Sequence, residues 1–136
     1  MLGFFRQCLP LQRRIVSKLN ERLGQFGLSY SQWTVLYYVK NHGAAVLAEI
    51  AAYYGVKKPV ITRSVQTLEA ELLVEQLPSR DRREKLIHLT AKGEEIYAAG
   101  RILIDELEQE TLVGLSEAEV SALFASMVTI RKNLQA

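Results

Sequence analysis

The segment of residues 47–93 constrains the fold most, because it joins two short helices by a tight turn and follows them with a hairpin. Leu47 and Ile50 are spaced to lie on one helical face. Gly55 follows where a helix needs a residue that tolerates a left-handed backbone. Pro59 suits the first turn of the next helix, where its missing N–H is not needed. The segment therefore predicts a helix-turn-helix followed by a β-hairpin.

The second helix of this pair has two different sides. Apolar residues recur at helical spacing and predict its buried stripe: Ile61, Val65, Leu68 and Leu72. The opposite side carries small or polar side chains whose length suits base edges and phosphates: Pro59, Thr62, Arg63 and Gln66. Two cations, Lys57 and Lys58, stand at the end where helix N–H groups also attract anions. We expect Thr62, Arg63 and Gln66 to contact bases in a DNA major groove, with Lys57, Lys58 and Pro59 placing the helix on phosphates.

The hairpin supplies a second basic element. Residues 74–78 and 85–89 are short apolar-rich runs that predict two strands. The connection, residues 80–85, holds four cations and two anions. Asp81 is expected to orient one arginine, which leaves another to enter a minor groove, where negative potential is concentrated. Arg82 and Arg83 are therefore the predicted DNA contacts of this wing.

Helical patterns fill the rest of the chain. A helix is predicted over residues 9–25 with its start near Pro10, and residues 1–8 are expected to form a separate turn, a frayed end or a kinked extension of it. Capping boxes at Ser29-x-x-Gln32 and Ser116-x-x-Glu119 open two others. Thr90 is placed to cap a long helix between them. The predicted class is mainly α (α+β): one domain over residues 1–136, with a winged-helix lobe at 28–90. The segments 1–27 and 91–136 would form a helical dimerisation region, since their apolar stripes exceed what so small a core can cover.

Composition and charge agree with this interpretation. The chain has 136 residues, long enough for one core, and no apolar run of about eighteen residues that would span a membrane. A lone cysteine cannot form an internal disulfide, which suits a reducing cytoplasm, and no signal peptide is expected. The net charge is only +2, but residues 1–24 carry five cations and one anion, whereas residues 94–119 carry eight anions and one cation. Such polarity lets a protein present a basic face to DNA.

The chain resembles the MarR family of winged helix-turn-helix transcription regulators over nearly its whole length. Three motifs carry the resemblance: Leu28-Ser-Tyr-Ser-Gln-Trp33-Thr-Val-Leu36, the stretch from Lys58-Pro59 to Leu68-Glu69, and Asp81-Arg-Arg83 followed by Leu89-Thr90-Ala-Lys-Gly93. The family commonly has a small hydroxylated residue where Lys57 stands. The resemblance implies a homodimer that binds a pseudo-palindromic operator in double-stranded DNA, often as a repressor released by a small ligand or by oxidation.

Several effectors and rival functions stay open at this point. The aromatic residues Trp33, Tyr37 and Tyr53 are candidates to line a pocket for a small aromatic ligand, and Cys8 is the candidate for a thiol-based redox sensor. A winged helix used only for protein–protein contact is a further alternative. No cofactor is expected, because two histidines give no metal-ligand set of plausible spacing. No catalytic motif is present either, so the sequence does not predict an enzyme.

Overall fold

A computed structural model describes residues 3–79, 81 and 83–135. Within them the chain forms six α-helices and one small antiparallel sheet. The elements are, in chain order, α1 (Phe4–Leu23), a 3₁₀ turn (Gly24–Phe26), α2 (Tyr30–His42), β1 (Ala45–Val46), α3 (Leu47–Tyr54), α4 (Lys58–Ala70), β2 (Val74–Leu77), β3 (Leu86–Leu89), α5 (Ala91–Thr111) and α6 (Glu117–Gln135). Contacts divide the chain into two compact units, Met1–Ile104 and Asp105–Ala136.

The core of the first unit lies where α2, α3, α4 and β3 meet. Its largest fully buried side chains are Leu23, Leu36, Ile50, Leu68, Ile87, Val35 and Val65. The predicted helix-turn-helix is confirmed: α3 ends at Gly55, whose φ is 65°, and α4 has Pro59 in its first turn. Burial of this apolar set fixes the angle between α3 and α4, because each helix has one apolar side and both sides face the same core.

One residue of the predicted α4 stripe is placed differently. Leu72 is 68% exposed, and its φ of 62° makes it the one non-glycine residue with a left-handed backbone among those described. Helix α4 has already ended at Ala70, so the helical spacing does not extend to Leu72. The turn instead brings Leu73 inward, where it is 3% exposed.

The sheet has the order β1-β3-β2, and all neighbours are antiparallel. Strands β2 and β3 confirm the predicted hairpin, with Val74 opposite Leu89 and Leu77 opposite Leu86. Strand β1 was not predicted, because two residues are too few to show an alternating pattern. It pairs with β3 through Ala45 opposite Ile87, which ties the hairpin to the start of α3.

Helix α1 begins earlier than the sequence predicted. It starts at Phe4 and continues through Pro10, so the proline lies inside the helix and not at its start. Of the three alternatives for the segment before Pro10, the structure shows the helical extension, because the helix continues through a proline when it forgoes one backbone hydrogen bond. The helix ends at Leu23, and the 3₁₀ turn that follows contains Phe26.

The predicted caps of three helices are confirmed. The side chain of Ser29 accepts a hydrogen bond from Gln32 N–H at 3.2 Å, and Gln32 Oε1 accepts one from Ser29 N–H at 3.0 Å. At α5, Thr90 Oγ1 accepts from Gly93 N–H at 3.0 Å. Ser116 and Glu119 form the reciprocal capping box of α6. These bonds satisfy N–H groups that a helix start otherwise leaves without partners.

The second unit contains the end of α5 and all of α6. Its helix α6 has no buried residue, and several large apolar side chains of the unit are exposed: Val113, Leu115, Leu123, Phe124, Met127, Val128 and Leu134. None of the helices in the described part of the chain is long and apolar enough to cross a membrane.

Candidate nucleic-acid interface

Helix α4 presents one polar side to solvent while its other side is packed. Ile61, Val65 and Leu68 are at most 2% exposed, and Ser64 is also buried. On the opposite side Pro59, Arg63 and Gln66 are exposed and Thr62 is half-buried. The structure therefore brings the three residues predicted for base contacts, and Pro59 beside them, onto one accessible surface. A helix with this side free has the width and polarity to enter a DNA major groove.

Hydrogen bonds to the helix backbone orient two of these side chains. Thr62 Oγ1 donates to the Lys58 carbonyl at 3.1 Å, and Arg63 Nε donates to the Pro59 carbonyl at 3.5 Å. Both acceptors lie four residues earlier, so the side chains lean toward the N-terminal end of α4. The Arg63 bond uses Nε, and a guanidinium has four further N–H donors on its terminal nitrogens. The tips of both side chains are thus directed to the end of the helix that a phosphate or base would approach.

That N-terminal end combines several features that favour an anion. Lys57 is the N-cap, its side chain makes no capping hydrogen bond, and no acidic residue occupies the first turn. Lys57 and Lys58 are both exposed. In the part of the chain that is described, no carboxylate forms an ion pair with Lys57, Lys58 or Arg63. Pro59 has no N–H, and the Val60 N–H donates to the Lys57 carbonyl at 3.0 Å. The local excess of positive charge at this end therefore comes mainly from the two exposed lysines.

The connection between β2 and β3 contains a tight turn. The Asp81 carboxylate accepts a hydrogen bond from Arg83 N–H at 2.9 Å, and the Asp81 carbonyl accepts one from Glu84 N–H at 3.0 Å. The contact described for Asp81 is thus to the backbone of Arg83, whereas the sequence predicted a contact to a guanidinium. Arg83 is exposed, and Arg82 lies outside the described residues. The carboxylate holds the turn that presents the Arg83 side chain.

The predicted ligand-pocket residues fall into two groups: Trp33 and Tyr37 lie one turn apart on α2 and both contact α5, whereas Tyr53 lies on α3. Trp33 is 5% exposed, and its ring stacks on Tyr97 with centroids 5.0 Å apart. Tyr37 lies beneath the Arg101 guanidinium, 5.9 Å from the ring centroid. Tyr53 is 56% exposed and packs edge-on against Tyr38 instead. Trp33 is therefore a packing residue between α2 and α5, and Tyr53 belongs to a separate aromatic group.

That aromatic group joins α2 to α3. Tyr38 stacks on His42 with centroids 4.2 Å apart, and its hydroxyl donates to Glu49 at 3.4 Å. The Tyr54 hydroxyl donates to the Thr34 carbonyl at 3.0 Å. Burial raises the pKa of Tyr54 well above its ordinary value, and burial with the Glu49 carboxylate raises the pKa of Tyr38. Both phenols stay neutral at ordinary pH, which suits hydrogen-bonded packing groups.

The structure contains a small cavity that sequence reasoning missed. It has a volume of about 120 Å³ and lies between the starts of α2 and α5 and the end of α4. Phe26, Leu28, Thr67, Leu73, Lys92 and Ile96 contribute to its lining. No single segment supplies these residues, so no local pattern could have indicated the cavity.

The remaining predicted site residue is Cys8, a free, half-buried thiol on α1. Among the residues described, no group of three or more histidine, cysteine or acidic side chains could hold a metal ion. The structure therefore gives its clearest binding surface at α4 and the hairpin.

Comparison with known proteins agrees with this geometry. The MarR family profile matches residues 26–84, a range that includes α2 to α4 and β2 and ends before β3. An uncharacterised HTH-type transcriptional regulator of Bacillus subtilis, YwoH, is 36% identical over 110 residues, covering 81% of this chain and 80% of that protein.

Solved structures share the fold along nearly the whole chain. A mutant MarR of E. coli complexed with operator DNA superposes with a TM-score of 0.86 at 24% identity, covering 95% of this chain and 94% of that one. MarR of Staphylococcus aureus in complex with salicylate and kanamycin gives 0.87 at 24% identity, covering 98% and 91%. With the sequence match to YwoH, the profile match and this common fold, the chain belongs to the MarR family of winged helix-turn-helix transcriptional regulators.

Proposed function

We propose that the protein is a homodimeric repressor that acts in the cytoplasm by binding a pseudo-palindromic DNA operator, and that it works by binding and not by catalysis. The observation that carries this proposal is the N-terminal end of α4. It has two exposed lysines, no capping side chain, no acidic residue in its first turn, and a polar outer side on a helix whose other side is packed. The lysines at this end can bind the phosphate backbone, while the polar side chains next to them can contact base edges in the adjacent major groove.

The residues divide into two roles on this proposal. Thr62, Arg63 and Gln66 read base edges, because they lie on the exposed side of α4. The group that positions the protein on phosphates or in the adjacent minor groove is Lys57, Lys58, Pro59, Arg82 and Arg83. Asp81 supports the second set through the turn that it holds at Arg83 N–H.

Exposed apolar side chains support a homodimer. Helix α1 exposes Phe4, Phe5, Leu9, Leu11 and Ile15, and the second unit exposes the set given above. Monomeric proteins rarely leave so many large apolar side chains in water, since each Å² costs about 25 cal/mol. A two-fold axis would separate two α4 helices by about one duplex turn, roughly 34 Å, which matches a palindrome.

A small aromatic ligand is the proposed effector class. The support is the salicylate complex of a protein with this fold and the partly open cavity beside the C-terminal end of α4. Its volume is close to that of apolar cavities that hold a benzene ring, about 150 Å³. Ligand binding in this cavity would act on the C-terminal end of α4, the helix that is proposed to contact bases.

The test is DNA affinity by fluorescence anisotropy, using duplexes from the regulator's own upstream region and a range of salt. We expect affinity to fall steeply with salt. Arg63→Ala should weaken operator binding by about 1–3 kcal/mol and relax base preference, whereas Arg83→Ala should weaken all sequences similarly and reduce the salt slope by about one.

Arg131→Ala is the matched control, because it removes an exposed arginine of α6, outside α4, the hairpin and the basic N-terminal segment. Its affinity should stay within about twofold of the native value. Unchanged affinity in both Arg63→Ala and Arg83→Ala would overturn the proposal. Binding to a protein partner with no affinity for any duplex at low salt would favour a protein-contact function instead.

A further inference from the structure

Glu69 stands on the same side of α4 as the polar residues of the candidate interface. Thr62, Gln66 and Glu69 follow at intervals of four and three residues, which places them in line along one helical side. A carboxylate here is unexpected on a surface meant for a polyanion, because it repels phosphates. The contacts of the Glu69 carboxylate suggest a structural role for it.

Both oxygens of this carboxylate are directed to the hairpin. Oε1, which is shielded from solvent, forms an ion pair with the Lys85 ammonium. Oε2 accepts a hydrogen bond from Gln76 Nε2 at 3.5 Å. The Glu69 and Lys85 side chains are each 28% exposed, and the other described ion pairs are all more open, at 35% to 66%. Lower exposure leaves a stronger attraction, because less water screens the two charges.

The two partners lie where the hairpin ladder ends. Leu77 opposite Leu86 is the last paired position toward the tip, Lys85 directly precedes β3, and Gln76 lies on the facing strand β2. The contacts of Glu69 therefore hold β2 and the residue that precedes β3 against α4, at the tip end of the paired strands. Arg83 is only two residues from Lys85, so the position of Arg83 relative to α4 depends on the contact between Lys85 and Glu69.

We propose that Glu69 is a positioning residue for DNA binding, which fixes the hairpin against α4 so that one duplex contacts both. This inference rests on the proposed function. It predicts a change in DNA affinity opposite to the one expected from charge repulsion alone. Removing an anion from a DNA-facing side should tighten binding, but removing this one should weaken it, because the hairpin loses its fixed position.

The first measurement needs no DNA. In Glu69→Gln, amide hydrogen exchange of residues 76–77 and 86–87 should rise about fivefold over the native protein, because the strand ends are less restrained. Glu71→Gln removes the same charge two residues further on, from an exposed side chain, and should leave this exchange unchanged. Equal exchange in Glu69→Gln and the native protein would show that the contact does not restrain the hairpin.

The second measurement is operator affinity of the full chain. We expect Glu69→Gln to bind about fivefold more weakly, the scale of a partly exposed ion pair, and Glu71→Gln to bind equally well or more tightly. Lys85→Arg preserves the pair and should stay within about twofold of native. Glu69→Gln combined with Lys85→Met should lose little more than Lys85→Met alone, since both changes break one contact.

Two results would overturn the inference. One is an affinity of Glu69→Gln equal to or above that of the native protein, and the other is fully additive losses in the double variant. A native protein that binds no duplex would instead refute the proposed function, and the positioning role with it. Circular dichroism and melting of each variant would distinguish loss of the fold from loss of the hairpin contact.

Discussion

Gly93→Ala is expected to destabilise the protein strongly, because α5 begins in direct contact with the turn before β2. A Cβ atom at Gly93 would lie 2.0 Å from the Leu73 carbonyl oxygen and 3.0 Å from its carbon. The opposing atoms are backbone, so no side-chain rotation can relieve the overlap. The Leu73 carbonyl also accepts Thr90 N–H at 3.1 Å, and Thr90 Oγ1 donates to the Leu72 carbonyl at 2.6 Å.

The magnitude follows from these contacts. Overpacking a close contact costs about 1–3 kcal/mol. Moving the backbone at Leu73 away would also weaken the two hydrogen bonds that Thr90 donates to the Leu73 and Leu72 carbonyls, each contributing about 1 kcal/mol. Alanine recovers up to about 1 kcal/mol by its better helix propensity. We expect a net loss of about 2–4 kcal/mol in the free energy of unfolding, and a fall of about 10 °C in the melting temperature.

Gly24→Ala is the matched control for this substitution. Gly24 has φ −56°, and a Cβ atom there would meet nothing within 4 Å. It should gain about 0.4–1 kcal/mol, because alanine has less freedom to lose on folding. Both variants are measured by urea unfolding at one protein concentration, since a dimer's stability depends on concentration. The reasoning is refuted if Gly93→Ala unfolds within 1 kcal/mol of the native protein.

Two further substitutions test local features. Leu72→Gly should stabilise the protein by up to about 1 kcal/mol in urea unfolding, because a left-handed φ costs an L-residue roughly 1–2 kcal/mol and an exposed leucine loses little burial; a loss of stability would contradict this. Tyr54 is held neutral by a raised pKa, so the unfolded chain ionises first and stability should fall as pH rises above about 10. Tyr54→Phe should lessen that fall while costing about 1 kcal/mol at neutral pH, and an unchanged pH dependence of unfolding would contradict the assignment.

The fold could be predicted largely from local sequence, because its signals are local. Capping boxes, a C-terminal glycine and helical spacing each depend on residues within about four positions of one another. They located α2, α4 and both ends of the hairpin to within one or two residues. The errors in helix boundaries occurred where the same local pattern is compatible with two structures. Pro10 can start a helix or lie within one, and Leu72 continues an apolar spacing although its helix has ended.

The sequence by itself indicated the family through the motifs that resemble it, and determined the two-sided character of α4 and the clustering of cations around it, because motifs, spacing and charge are read directly from the residues. Only the tertiary structure decided which aromatic residues pack and which share a surface, since Trp33 meets Tyr97 across 64 positions of chain. It also showed why position 93 needs glycine, since the Leu73 backbone lies against it, and it placed Gln76 of β2 and Lys85 next to β3 in contact with Glu69. Such contacts depend on how the elements pack, and packing is a property of the whole core and not of any one segment.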